Sequence, residues 1–138
     1  MMTSLNLEQS LEISNLCHRI ASLNSQICSI SCINKNGRVI ETKLCDDRIF
    51  TDLSPQELEM LYMQRKLQTS MNRELDEKFG TMNYIVSDRD SVLEFIFPFY
   101  DGIILVITRP EIIIQNFAKK TSKIITKFKF GEEVQTLR

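Results

Sequence analysis

EFIFPFYDGIILVITR, from Glu94 to Arg109, is the stretch on which the fold turns. Two apolar runs flank Asp101 and Gly102, and Asp-Gly in that setting supplies the positive φ angles of a two-residue type I′ hairpin turn. Phe95, Phe97 and Phe99 share one face of the first run, because side chains alternate along a strand. Ile103, Ile104, Leu105, Val106 and Ile107 leave the second run without a polar face, so that strand needs cover on both sides and belongs in the middle of a sheet. Pro98 has no N–H to give to a ladder, which predicts a bulge or an unpaired position near the end of the first strand.

On either side of this hairpin the pattern continues. MNYIVS, Met82 to Ser87, predicts a third strand with Met82, Tyr84 and Val86 on one face, the most mixed strand of the chain. With Val92 to Phe99 and Ile103 to Thr108 it makes three consecutive antiparallel strands. Thr108, Pro110 and Glu111 give a helix start, with Ile107 and Ile112 placed as a hydrophobic staple. The helix runs to about Phe128, with Ile113, Phe117, Ile124 and Phe128 on its apolar side. Lys119, Lys120, Lys123 and Lys127 gather opposite as a basic face. Such a helix can lie on an anionic membrane or meet an acidic partner, but most lysine faces are simply solvated, and that is the expectation here.

Before the Met82 strand stands the longest helix. Ser54 caps it, Pro55 suits the first position, Glu57 completes the capping box, and Leu53 and Leu58 form the staple. It runs to about Phe79 and ends at Gly80. Met60, Met63, Leu67, Met71, Leu75 and Phe79 follow three- and four-residue steps, which predicts that stripe as the core face. Leu58, Tyr62 and Arg65 lie well round the cylinder and form a second patch, for a partner or for the loop before the helix within the same subunit to cover. Earlier in the chain, ICSISCI (Ile27 to Ile33) and RVIETKL (Arg38 to Leu44) read as a hairpin around NKNG, with Asn36-Gly37 as the positive-φ pair. The chain opens with a helix over about Leu5 to Leu23, burying Ile13, Leu16, Cys17, Ile20 and Leu23 and leaving His18 outward.

The whole chain, 138 residues, reads as one domain with its core over about 5–128 and a polar tail over 129–138. A formal net charge of −1 gives no global field favouring nucleic acid, and no aromatic platform interleaved with basic residues suggests it. Without a basic leader or an apolar run of roughly 18 residues, the expectation is a cytoplasmic protein. Cys17, Cys28, Cys32 and Cys45 lack the close pair spacing of zinc or redox motifs and are expected as reduced, mostly buried thiols. Cys28 and Cys32, four apart in one strand, are expected on the same face roughly 13 Å apart, too far to chelate together. The carboxylates Glu41, Asp46, Asp47, Asp52, Asp88 and Asp90 fall in turns or exposed strand faces where they are solvated. No second histidine, nucleophile elbow or phosphate loop accompanies them, so no catalytic, cofactor-binding or metal residue is assigned.

The order helix, two strands, long helix, three strands, helix is an α+β arrangement, αββαβββα, with an antiparallel sheet. In this order, and in NKNG after the first strand, the chain resembles the roadblock/dynein light chain family, a profilin-like fold. The segment from Met60 to Pro98 also resembles small uncharacterised archaeal proteins read as roadblock-like. The resemblance implies a five-stranded sheet of order 2-1-5-4-3 with helices on both faces. It implies a homodimer formed at the edge strand and the long helices, here through Leu58, Tyr62, Arg65, Met82 and Tyr84. It further implies a non-catalytic interaction module, a scaffold or regulator acting on a small GTPase or within a larger complex. The alternative is a PAS-like or profilin-like domain sensing a small molecule. A cavity of a few hundred Å³ beside the sheet would favour the sensor, and a filled core with an exposed apolar patch the adaptor.

Overall fold

A computed structural model describes residues 6–46 and 52–131. Asp47, considered above among the carboxylates, lies outside them, as do the first residue of the expected opening helix and most of the polar tail. The elements follow the order α1 (Leu7–Ala21), β1 (Ile27–Ile33), β2 (Val39–Leu44), α2 (Pro55–Arg73), α3 (Asp76–Phe79), β3 (Ile85–Asp88), β4 (Leu93–Phe99), β5 (Gly102–Thr108) and α4 (Ile114–Lys127). The strands form one antiparallel sheet of order β2-β1-β5-β4-β3. The all-apolar β5 lies at its centre, where every residue is buried. β1, buried throughout, runs beside it.

Alternation along β4 and β5 divides the core into two layers. Phe95, Phe97, Phe99, Ile104 and Val106 pack with Ile13, Leu16 and Ile20 of α1 and Phe117 and Ile125 of α4. Ile96, Ile103, Leu105 and Ile107 face the other way, toward Leu58 and Tyr62 of α2. The terminal helices therefore cover one face and the long helix the other. Cys28 and Cys32 do not share a face. A register shift between Ile27 and Ser29 sends Cys28 into the α2 layer and leaves Cys32 in the α1/α4 layer.

Both hairpins form, each with different turn chemistry from that expected. In the central hairpin Phe99 pairs with Gly102, so the loop residues are Tyr100 and Asp101. Tyr100, at φ 54°, supplies the positive angle. Gly102 is a strand residue, and a Cβ there would sit 2.1 Å from the carbonyl oxygen of Ile33. Its missing side chain lets β1 pass close by. In the first hairpin only Gly37 has a positive φ, 77°. Its N–H donates to the Asn34 carbonyl at 3.0 Å, and Asn34 Oδ1 accepts from the N–H groups of Asn36 and Arg38. The extra residue is absorbed by a register shift between Cys32 and Ile33, the signature of a bulged turn.

Pro98 causes no bulge and pairs in register with Ile103. Because the two-residue loop makes Phe99 and Gly102 a hydrogen-bonded pair, alternation turns the Pro98 nitrogen away from β5. On that side β3 begins only at Ile85, opposite Ile96, so no ladder bond is lost. The edge strand is accordingly shorter than expected, and Met82 and Tyr84 precede it without strand pairing. The last helix starts later than expected. Ile113 is its N-cap without a side-chain bond, and the Thr108 hydroxyl donates to the Arg109 carbonyl. Thr108 is already committed as the last residue of β5, which removes it from capping.

Candidate functional site

α2 begins as its sequence dictates, with Ser54 Oγ accepting from the Glu57 N–H at 3.1 Å and Glu57 Oε1 accepting from the Ser54 N–H at 2.9 Å. It stops at Arg73, and Gly80 caps the separate short α3. Its orientation reverses the expectation. The row turned to the sheet is Leu58, Tyr62, Arg65 and Thr69, with Tyr62 only 9% exposed. The methionine row expected in the core is outside: Met60 is 61% exposed, Met63 55%, Leu67 61% and Met71 59%, and Leu75 and Phe79 prolong it.

Glu94 explains the reversal. It lies on β4, 4% exposed, in the layer that α2 covers. Arg65 Nε pairs with its Oε2, Arg65 Nη2 donates to Oε1 at 3.3 Å, and Arg89 Nε stands 3.9 Å from Oε1. The Thr69 hydroxyl, otherwise a polar group against the sheet, donates to the Arg65 carbonyl at 2.9 Å. With the methionine row inward, Glu94 would face thioethers and remain a buried charge without its cation, which costs several kcal/mol. A longer apolar row does not outweigh that. The signal was present in the sequence: an acid inside a run that buries both faces demands a cation from the covering helix.

Leu58, Tyr62 and Arg65, expected at a self-association surface, thus cover the chain's own sheet. Met82 and Tyr84 are half-buried beside β3, with the Met82 N–H donating to Asp76 Oδ1 at 3.2 Å and the Tyr84 ring 6.1 Å from that of Phe97. Lys119, Lys120, Lys123 and Lys127 are all exposed, but they serve two concavities. Lys119, Lys123 and Lys127 line a groove of about 460 Å³ with Tyr84, Ser122 and Thr126, while Lys120 faces another beside Asn116 and Glu111.

The space between sheet and helices is filled by side chains such as Phe95, Phe97, Ile30 and Ile104. A cleft of about 510 Å³ opens at the margin instead, between β2 and the first turns of α2, lined by Val39, Leu44, Leu58, Tyr62 and Met63. Of the other residues considered for chemistry, Asp46 is paired with Arg109, Glu41 is half-buried on β2, and Asp52, Asp88, Asp90 and His18 are exposed. No group of three metal-ligating side chains occurs among the described residues. No disulfide forms among the described residues; Cys17, Cys28 and Cys32 are buried, and Cys45 is exposed. Burial pushes the Cys17 thiol up to about 12 and the Cys32 thiol up further, so neither ionises near neutrality.

The arrangement of one sheet between α2 and the pair α1/α4 recurs in solved structures. A roadblock/LC7 domain from Streptomyces avermitilis superposes with a TM-score of 0.61 at 15% identity, over 80% of this chain and 89% of that one. The chain has the roadblock fold. Myxococcus xanthus MglB matches with a TM-score of 0.66 at 14% identity, over 90% of this chain and 92% of its own. An MglB with tetrameric arrangement matches with a TM-score of 0.57 at 8% identity, over 90% and 94%. No protein-family model and no curated protein matches the sequence, so the likeness to roadblock domains is one of fold.

Proposed function

We propose that this roadblock-like domain is a non-catalytic protein-interaction module that works as a homodimer, a cytoplasmic scaffold or regulator acting on a small GTPase or within a larger complex. The observation that carries this is the exposed row Met60, Met63, Leu67 and Met71, continued by Leu75 and Phe79. A contiguous apolar stripe along a helix of 19 residues is the kind of surface that a partner covers. A second copy fits it, since two such helices side by side bury both stripes by an isologous contact. β3, at the sheet edge with its outer backbone row open to a second strand, is a separate margin through which two copies can also meet. The solved MglB with tetrameric arrangement is one protein of this fold that assembles. The filled space between sheet and helices supports the adaptor over the sensor, the cleft of about 510 Å³ lying at the outer margin of β2 rather than enclosed under a helix.

Light scattering after size exclusion tests the reading. At tens of micromolar the wild type elutes as a dimer, whereas a Leu67→Asp/Met71→Asp variant elutes as a folded monomer with an unchanged circular dichroism spectrum. A monomeric wild type removes the homodimer.

A further inference from the structure

We infer that the groove between α4 and the Asn83–Tyr84 segment is a docking site for an acidic peptide segment of a partner protein, bound extended with carboxylates at alternate positions. The inference concerns a different face from the α2 stripe and goes beyond self-association. Lys119, Lys123 and Lys127 stand at successive four-residue steps along one side of α4, so their stems repeat about every 6 Å along the helix. Alternate side chains of an extended peptide repeat about every 6.7 Å. Three carboxylates on such a peptide can therefore meet three lysines in step, and no helical or globular epitope is needed.

The groove is built for this charge. Ser122 and Thr126 add hydroxyl donors between the lysines, and Asn83 and Tyr84 form the opposite wall. Among the described residues no carboxylate lines it, and none of the three lysines makes an ion pair with another of them. Asp76, which approaches this segment, already accepts from the Met82 N–H and faces Arg73 Nε at 3.9 Å. An anionic membrane fits less well. The apolar side of α4 is spent on the core through Phe117, Ala118, Thr121 and Ile125, which leaves nothing to insert, and a flat bilayer surface does not enter a concave groove.

Titration of the isotopically labelled full chain with a short blocked peptide alternating glutamate and serine, followed by amide chemical shifts, tests the proposal. The expected result is saturable shifts at Asn83, Tyr84 and the Lys119-to-Lys127 turns, lost at high salt. Lys119→Gln/Lys123→Gln/Lys127→Gln weakens binding about tenfold, as three exposed ion pairs together allow. The triple arginine variant restores it, and Lys120→Gln changes it by less than about twofold, because Lys120 lies on the other concavity. No shifts, equal binding of a glutamine–serine peptide, an equal loss with Lys120→Gln, or binding confined to phosphatidylserine vesicles each overturns it. The exposed lysines tolerate substitution without loss of fold, and a monomeric or dimeric outcome above leaves this test unchanged.

Discussion

A carboxylate set between Leu93 and Phe95 survives burial because two guanidinium groups converge on it from different elements, Arg65 from α2 and Arg89 from the β3–β4 turn. Removing the acid strands Arg65 against an apolar layer, and removing Arg65 strands the acid. Arg65→Ala is expected to lower unfolding stability by about 2–4 kcal/mol in urea titration, the range for breaking a buried pair discounted for the partial exposure of the arginine. Arg89→Ala, at a longer distance and on an exposed side chain, is expected to cost under about 1 kcal/mol. The thiols make a second residue-level prediction. Cys17 keeps its proton to about pH 12 in the folded chain, while an unfolded thiol loses it near pH 8.5. A folded pKa raised in this way contributes stability that is complete below about pH 8.5 and drains away as pH climbs toward 12, at up to about 1.4 kcal/mol per unit for each such thiol. Denaturant titrations at pH 8 and pH 10 check the sign. At pH 8 a colorimetric thiol reagent should modify Cys45 rapidly and the other three only on unfolding.

The elements show why some capping signals bind and others do not. Ser54 and Glu57 form their reciprocal bonds because the chain reaches α2 from a loop, free to adopt the cap. Thr108 carries the same signal but is held in the β5 ladder, so the helix waits until Ile114. Ser54→Ala should therefore cost about 1 kcal/mol, whereas Glu111→Gln should fall within about 0.5 kcal/mol of wild type by thermal unfolding. The existence of α1, α2, α4 and all five strands was legible from period and turn residues, since those depend on neighbours in sequence. The inward face of α2 was not. Two apolar rows compete on that helix, and the choice between them rests on Glu94, twenty-nine residues beyond Arg65 and invisible to any helical window. Turn details were missed for a related reason: Gly102 is a glycine because of Ile33, a residue on another hairpin.

At the scale of the molecule, the sheet order came from the resemblance rather than from the strands themselves, whose patterns locate a centre and a mixed edge but do not say which hairpin joins which. The close pairing of β1 with β5 supplies the join. With the α2 stripe outside, the folded chain carries an apolar surface that a monomer leaves in water. Its melting temperature is expected to rise with protein concentration, as mass action requires of the proposed homodimer, and the Leu67→Asp/Met71→Asp variant is expected to lose that dependence.

Three of the four members of that stripe that lie in α2 are methionines, Met60, Met63 and Met71. Their unbranched thioethers have several low-energy shapes and a polarizable sulfur, so one row can follow more than one contour. They are also open to oxidation, and a sulfoxide is polar and chiral where the thioether was apolar and soft. A surface of this make-up is permissive toward the shape of what meets it and sensitive to the redox history of the chain that bears it.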